Sequence, residues 1–158
     1  MSGLSVGMMA PDFELPTADG GGFTLSAQRG HPVVLYFYPQ DDTEGCTIEN
    51  IGFSGLLPEF EKLGVTVVGV SPDTVATHCS FRDKYGLAVT LAADPTRSVV
   101  EAYGLWQQKK TFGRDYVGLV RTSFLIDAEG RISRIWEVRR IKGHAEDVLE
   151  AARALAQG

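Results

Sequence analysis

Between Pro32 and Pro39 the chain reads Val-Val-Leu-Tyr-Phe-Tyr, with no charged or small polar residue interrupting it. An unbroken apolar run closed at both ends by proline predicts a central strand covered on both faces. Residues 65–70, Val-Thr-Val-Val-Gly-Val, repeat the pattern. Between them Phe53, Leu56, Leu57 and Phe60 recur at helical spacing, with Pro58 expected to kink that helix or to start a second segment. Strand, helix, strand in this order predicts a βαβ unit with parallel strands and a right-handed crossover.

The rest of the chain punctuates itself. Gly20-Gly21-Gly22 separates Phe13-Glu-Leu15 from Phe23-Thr-Leu25 and predicts a small N-terminal β-hairpin. Without a following Lys-Ser/Thr at a helix start, the glycine triplet reads as a plain turn, not a phosphate cradle. A helix is expected over 74–85, stopped by Gly86. Asp94-Pro95 should open a short helix ending at Gly104, with Asp94 as its cap and Pro95 at its first position. Residues 121–127 and 131–138 flank Ala128-Glu-Gly130 as a second hairpin. A C-terminal helix over 145–156 carries Val148, Leu149, Ala152 and Leu155 on one stripe, with Glu146 and Asp147 suited to its N-terminal dipole. Segment 106–113, Trp-Gln-Gln-Lys-Lys-Thr-Phe-Gly, shows no period and reads as a surface loop, with Trp106 anchoring it to the core. The expectation is an α/β fold: one domain over 1–158, a mixed sheet with helices on both faces.

Composition narrows the function. Hydrophobic residues make up 44% of the 158 and charged residues 22%, and the formal charge is −5, so a nucleic-acid partner is not expected. The one basic cluster, Arg139-Arg140 with Lys142, reads as a solvated strand end. The first ten residues lack both a charged n-region and an unbroken apolar stretch, so they resemble no signal or transit peptide. No apolar run is long enough to span a bilayer. A cytoplasmic protein without a membrane partner is the expectation. The two cysteines, Cys46 and Cys79, make no disulfide framework, and with only His31, His78 and His144 to join them they suggest no zinc site.

The polar stretch Pro39-Gln-Asp-Asp-Thr43-Glu-Gly-Cys46-Thr-Ile-Glu49 follows the central strand and leads into a helix. Sites in open α/β sheets form beyond the carboxyl ends of strands. With Thr43 as N-cap, Cys46 falls in the first helical turn, where unpaired amides and the helix dipole favour a thiolate. The Thr43 hydroxyl is near enough to donate to the sulfur or to a bound oxygen. The plain alternative is a small buried residue, a common fate of free cysteine. Four nearby carboxylates, Asp41, Asp42, Glu44 and Glu49, speak against an apolar pocket. They also oppose a thiolate, so a cation must approach from elsewhere in the fold.

Pro39-x-x-x-Thr43-x-x-Cys46 resembles the active-site motif of the peroxiredoxins. The wider string Tyr-Phe-Tyr-Pro-x-Asp-Asp-Thr-x-Gly-Cys-Thr is similar to the bacterioferritin-comigratory-protein, or peroxiredoxin Q, branch. The likeness runs through Ala10-Pro-Asp-Phe, Phe60-Glu-Lys-Leu-Gly64, Ser71-Pro-Asp73, Lys84-Tyr-Gly86, Tyr103-Gly-Leu-Trp106 and Arg121-Thr-Ser-Phe-Leu-Ile-Asp127. It implies a thioredoxin-like fold and the reduction of hydrogen peroxide or organic hydroperoxides without cofactor or metal. It further implies that Cys46 attacks the peroxide and becomes a sulfenic acid. Thr43 would hydrogen-bond sulfur and peroxide, Pro39 would shield the pocket, and Arg121 would supply the cation. Glu44 stands where relatives usually carry Pro and Gln40 where many carry Lys, so this loop is more negative than the family pattern.

In the same branch a second cysteine often lies five residues after the first, where this chain has Ile51. Other members place it in the helix after the second strand, at about the position of Arg82; here that helix offers Cys79, one turn earlier. At about 100° per residue, His78, Phe81 and Tyr85 share a face and Cys79 lies on its flank. Cys79 is therefore the favoured resolving residue, with an inert Cys79 and an external thiol as the alternative. A resolving Cys79 requires the helices to loosen, because a disulfide needs Cα atoms within about 7 Å. Thioredoxin or a glutaredoxin-like protein is the expected reductant and a monomer the expected state. The rivals are a thioredoxin-like disulfide reductase, which wants Cys-x-x-Cys where Glu49 stands, and a redox-inactive binding module, which would lack Cys46, Thr43 or Arg121.

Overall fold

The computed structural model describes residues 4–111 and 113–157. The core of the fold is a five-stranded mixed sheet, ordered β5-β4-β3-β8-β9. Strands β3 (Val33–Phe37), β4 (Thr66–Ser71) and β5 (Thr90–Ala93) run parallel, while β8 (Thr122–Ile126) is antiparallel to β3 and β9 (Ile132–Glu137) to β8. The continuous apolar run is the central strand because every one of its positions faces a core. Val33, Leu35 and Phe37 point to one side, and Val34, Tyr36 and Tyr38 to the other, all buried.

On the second side lie α1 (Glu44–Lys62), α2 (Val75–Tyr85) and α4 (His144–Gln157), burying Phe53, Phe60, Phe81, Val148, Leu149 and Ala152 against the sheet. The first side is closed by α3 (Ser98–Ala102) and by the N-terminal hairpin of β1 (Glu14–Pro16) and β2 (Gly22–Thr24), where Leu15 pairs with Phe23. Helix α2 starts as the sequence requires, with Thr74 Oγ1 accepting from the Thr77 amide at 3.2 Å. It stops at Gly86, whose φ of 62° is the left-handed conformation glycine takes without strain.

Three local expectations are corrected. Pro58 starts no second segment: α1 is one helix through it, with Phe53 and Phe60, on either side of the proline, both fully buried, and tertiary packing overrides the missing hydrogen bond. Helix α3 begins at Ser98, not at Pro95. Asp94 still caps it, its Oδ2 accepting from the Val99 and Val100 amides at 3.0 and 2.8 Å, but across a turn that ends in Arg97 at φ 64°. The supposed loop at 106–113 contains β6 (Trp106–Thr111), paired antiparallel with β7 (Arg114–Leu119). Its polar run has no alternation to reveal a strand; the pairing partner makes it one. Trp106 does pack against the core, under the Arg97 guanidinium at 4.3 Å from its ring centre. Phe112 lies outside the described residues, as do Met1 to Gly3 at the N-terminus. Among the described residues no helix is long and apolar enough to cross a membrane.

Candidate active site

The chain leaves β3 at the carboxyl end of the parallel strands and enters α1 through a short polar loop. Thr43 takes the N-cap position in an extended conformation, so Cys46 is the third residue of α1, among amides that lack intrahelical acceptors. That turn is anchored from below. Asn50 Nδ2 donates to the Cys46 carbonyl at 2.9 Å, and the Tyr36 hydroxyl donates to Asn50 Oδ1 at 2.6 Å. The Tyr36 ring has room because its neighbour in β4 is Gly69, where a Cβ would lie 2.7 Å from the ring.

Arg121 arrives from the start of β8. Its Nη2 donates to Cys46 Sγ at 3.1 Å, and its Nη1 pairs with Glu49 Oε1. This is the cation the loop required, brought from 75 residues away in the chain. A guanidinium hydrogen bond is stronger to a charged thiolate than to a neutral thiol. Gly45 lets the site close: a Cβ there would stand 2.8 Å from Ile141 and 3.5 Å from Arg121 Nη2. Cys46 is only 1% exposed.

Three of the four carboxylates around the thiol, Asp41, Asp42 and Glu49, are tied to partners. Asp41 bonds His78 Nδ1 at 2.6 Å and accepts from the Tyr38 hydroxyl at 2.7 Å. Asp42 accepts from Lys84 at 2.8 Å and from the Tyr85 hydroxyl at 2.6 Å, and these contacts hold its carboxyl below the usual range. Glu49 is buried, and burial pushes its carboxyl up to about 7 although Arg121 pulls the other way. Its Oε2 has no hydrogen-bond partner. Burial opposes the charge on Arg121, but Glu49 and Cys46 outweigh it and raise its pKa further.

Cys46 and Arg121 thus meet, while the other expected residues stand nearby in different roles. The Thr43 hydroxyl does not reach the sulfur or cap the helix; it donates to the Gln40 carbonyl at 3.0 Å, across the turn that holds Asp42 at φ 61°. Pro39 is exposed, next to buried Tyr38. Cys79 is a free, half-buried thiol on the flank of α2, while His78 and Phe81 face the core. Its Sγ donates to the Ala18 carbonyl at 3.1 Å.

Sequence reading missed two features. Glu49 counted only as an adverse charge, although its i,i+3 spacing from Cys46 marks the same helix face. His78 counted as an apolar-face residue. Its Nε2 faces the Ala92 carbonyl at 3.0 Å, which only accepts, so that nitrogen carries a proton. Asp41, Asp73 and His78 come close enough to share a cation; Asp41 and His78 are bonded to each other and to Tyr38 and Ala92, and Asp73 Oδ2 accepts from the Ser71 hydroxyl and the Asp41 amide.

A cysteine at a helix N-terminus, bonded by a half-buried arginine beyond the end of a thioredoxin-type sheet, defines a thiol-dependent redox enzyme. Residues 6–135 match the AhpC/TSA family, and the chain belongs to that family, in its peroxiredoxin Q/Bcp branch. A putative peroxiredoxin bcp of Coxiella burnetii is 45% identical over 92% of this chain and 97% of its own length. Peroxiredoxin Bcp of Bacillus subtilis is 37% identical over 98% of each. Among solved structures, the bacterioferritin comigratory protein of Xanthomonas campestris superposes with a TM-score of 0.89 at 36% identity, covering 96% of this chain and 99% of that one. The fold is the thioredoxin-like peroxiredoxin fold, and the enzyme is a thiol peroxidase.

Proposed function

We propose that Cys46 is the thiolate that attacks the peroxide, and that the oxidised enzyme is resolved by Cys79 and recycled by thioredoxin or a glutaredoxin-like protein. The observation that carries this is the Arg121 Nη2 contact to Cys46 Sγ at 3.1 Å, within the first turn of α1. In the first step the sulfur takes the distal peroxide oxygen, the O–O bond breaks, and the leaving alkoxide or hydroxide gains a proton. Arg121 stabilises both the thiolate and the charge that develops on the oxygens. Thr43, by turning its hydroxyl from Gln40, serves as the donor to bound peroxide, and Pro39 limits water at the rim. In the second step the Cys79 sulfur attacks the sulfenic acid, an S–S bond forms, and water leaves. Two electrons from the reductant then restore both thiols. The enzyme works as a cytoplasmic monomer, a setting in keeping with two free cysteines.

The deciding experiment follows peroxide consumption with a thioredoxin system for wild type, Cys46→Ser and Cys79→Ser. Loss of turnover in both variants is the expected result. Retained turnover in Cys79→Ser would replace the intramolecular disulfide with an external thiol. Equal slow consumption by wild type and Cys46→Ser would overturn the assignment of Cys46.

A further inference from the structure

Helix α2 carries Cys79 and, one turn on, Arg82. Both donate to the same acceptor, the carbonyl of Ala18 between β1 and β2: Cys79 Sγ at 3.1 Å and Arg82 Nη1 at 3.0 Å. A peptide oxygen has two lone pairs and accommodates both. The shared acceptor holds a guanidinium beside the thiol. It also holds the thiol as a donor, turned toward the hairpin.

The acceptor and the donors belong to different parts of the fold. The Ala18 amide donates to the Leu91 carbonyl at 3.0 Å, and Thr17 forms a bridge with Ala92, so the carbonyl is fixed to β5. Cys79 and Arg82 ride on α2. When α2 moves to let the two sulfurs meet, it withdraws both donors together. The thiol loses its acceptor, and the arginine loses its competing partner. The two side chains remain three residues apart whether the turn between them stays helical or opens.

The other charges near this contact are few. Arg82 Nε also bonds Asp83 Oδ1 at 3.2 Å on the surface of the same helix. Asp19, in the hairpin turn, is held low mainly by the Thr17 hydroxyl and the Gly21 amide, with a smaller contribution from Arg82. His78 faces away, into Asp41 and Ala92.

We propose that Arg82 is a positioning residue for the second half-reaction, stabilising the Cys79 thiolate once α2 releases the Ala18 carbonyl. This rests on the reading of Cys79 as the resolving cysteine. Cys79 gives its proton to water, its sulfur attacks the Cys46 sulfenic sulfur, the S–S bond forms as the S–O bond breaks, and the departing hydroxide takes up a proton. No outside oxidant is needed, since the sulfenic acid carries the oxidising equivalents.

The test measures sulfenic acid and Cys46–Cys79 disulfide separately, by rapid quench and mass spectrometry after stoichiometric hydrogen peroxide, for wild type, Arg82→Gln and Arg82→Lys. Arg82→Gln should form sulfenic acid at the wild-type rate, which also shows that it folds. Its disulfide should form about fivefold more slowly at neutral pH, with the profile of that step displaced to higher pH. Arg82→Lys should restore the rate. The proposal is overturned if the Arg82→Gln profile superimposes on the wild type, or if Arg82→Lys is as slow as Arg82→Gln. Absence of any Cys46–Cys79 disulfide in the wild type would instead remove the underlying reading of Cys79, a result visible before any Arg82 substitution.

Discussion

Arg121 joins the thiol of Cys46 to the buried carboxylate of Glu49. The guanidinium divides its donors between a sulfur and a carboxylate, and both charged side chains are largely shielded from water. Arg121→Met should therefore slow sulfenic acid formation by roughly two orders of magnitude and, by leaving Glu49 buried and unpaired, cost about 3 kcal/mol in urea denaturation. Arg121→Met/Glu49→Gln should recover most of that stability without recovering the rate, which separates the two roles. Glu49 also predicts a pH dependence. Its carboxyl is raised from 4.5 to about 7, so the folded state binds the proton more tightly than the unfolded one. The stabilisation is complete below about 4.5 and disappears as pH rises through 7. Denaturation midpoints for wild type and Glu49→Gln, compared across that window, should converge in acid and separate toward neutral pH.

At the level of elements, the seat of Cys46 depends on contacts below α1 as much as on α1 itself. Tyr36 stacks on Phe53 with ring centres 4.3 Å apart while its hydroxyl holds Asn50, and Gly69 leaves it the space. Gly69→Ala should displace the ring, costing about 1–3 kcal/mol in chemical denaturation, and should slow the peroxide reaction by loosening the first turn of α1. Helix α4 adds an opposite pH effect. His144 begins it, buried between Phe53 and Trp136 with Nε2 on the Ser123 hydroxyl at 2.8 Å, and burial lowers its pKa. The unfolded chain takes up this proton more readily, so this stabilisation is present above the ordinary value of 6.5 and fades as pH falls below it. In Glu49→Gln, where the opposing acid-side gain is gone, melting temperature should fall with acidification through this range. The strands and longer helices that frame these contacts were legible from periodicity. Strand β6 was not, because its polar residues acquire strand geometry only through pairing with β7.

Across the whole molecule, the active-site loop and the helix that carries Cys79 are held by the same ties. Asp41 reaches His78 in the buried interior, and Asp42 reaches Lys84 and Tyr85 at the surface. Opening one segment therefore loosens the other, as a disulfide between Cys46 and Cys79 requires. Asp42→Gly removes the surface ties and relieves the positive φ of 61°. Amide hydrogen exchange in α2 should accelerate severalfold in this variant while β3 and β8 remain protected. Unchanged exchange in α2 would show that the buried Asp41–His78 pair and the contacts to Ala18 hold the helix without the surface ties.

By itself the sequence determined the βαβ unit, the place of Cys46 at a helix start and the likeness to the peroxiredoxins, because each is written in neighbouring residues. Periodicity, proline and glycine stops and a compact motif act over a few turns of chain. Only the tertiary structure decided where Arg121 points, that Glu49 is buried beside it, that Thr43 turns to Gln40, and that Cys79 and Arg82 meet at Ala18. Except for the short Thr43 contact, whose direction is set by the turn at Asp42, these join segments 61 to 75 residues apart. No local pattern encodes such meetings: they exist because antiparallel β8 starts beside the carboxyl end of β3, which brings Arg121 to Cys46, and because the N-terminal hairpin docks on β5, which brings Ala18 to α2.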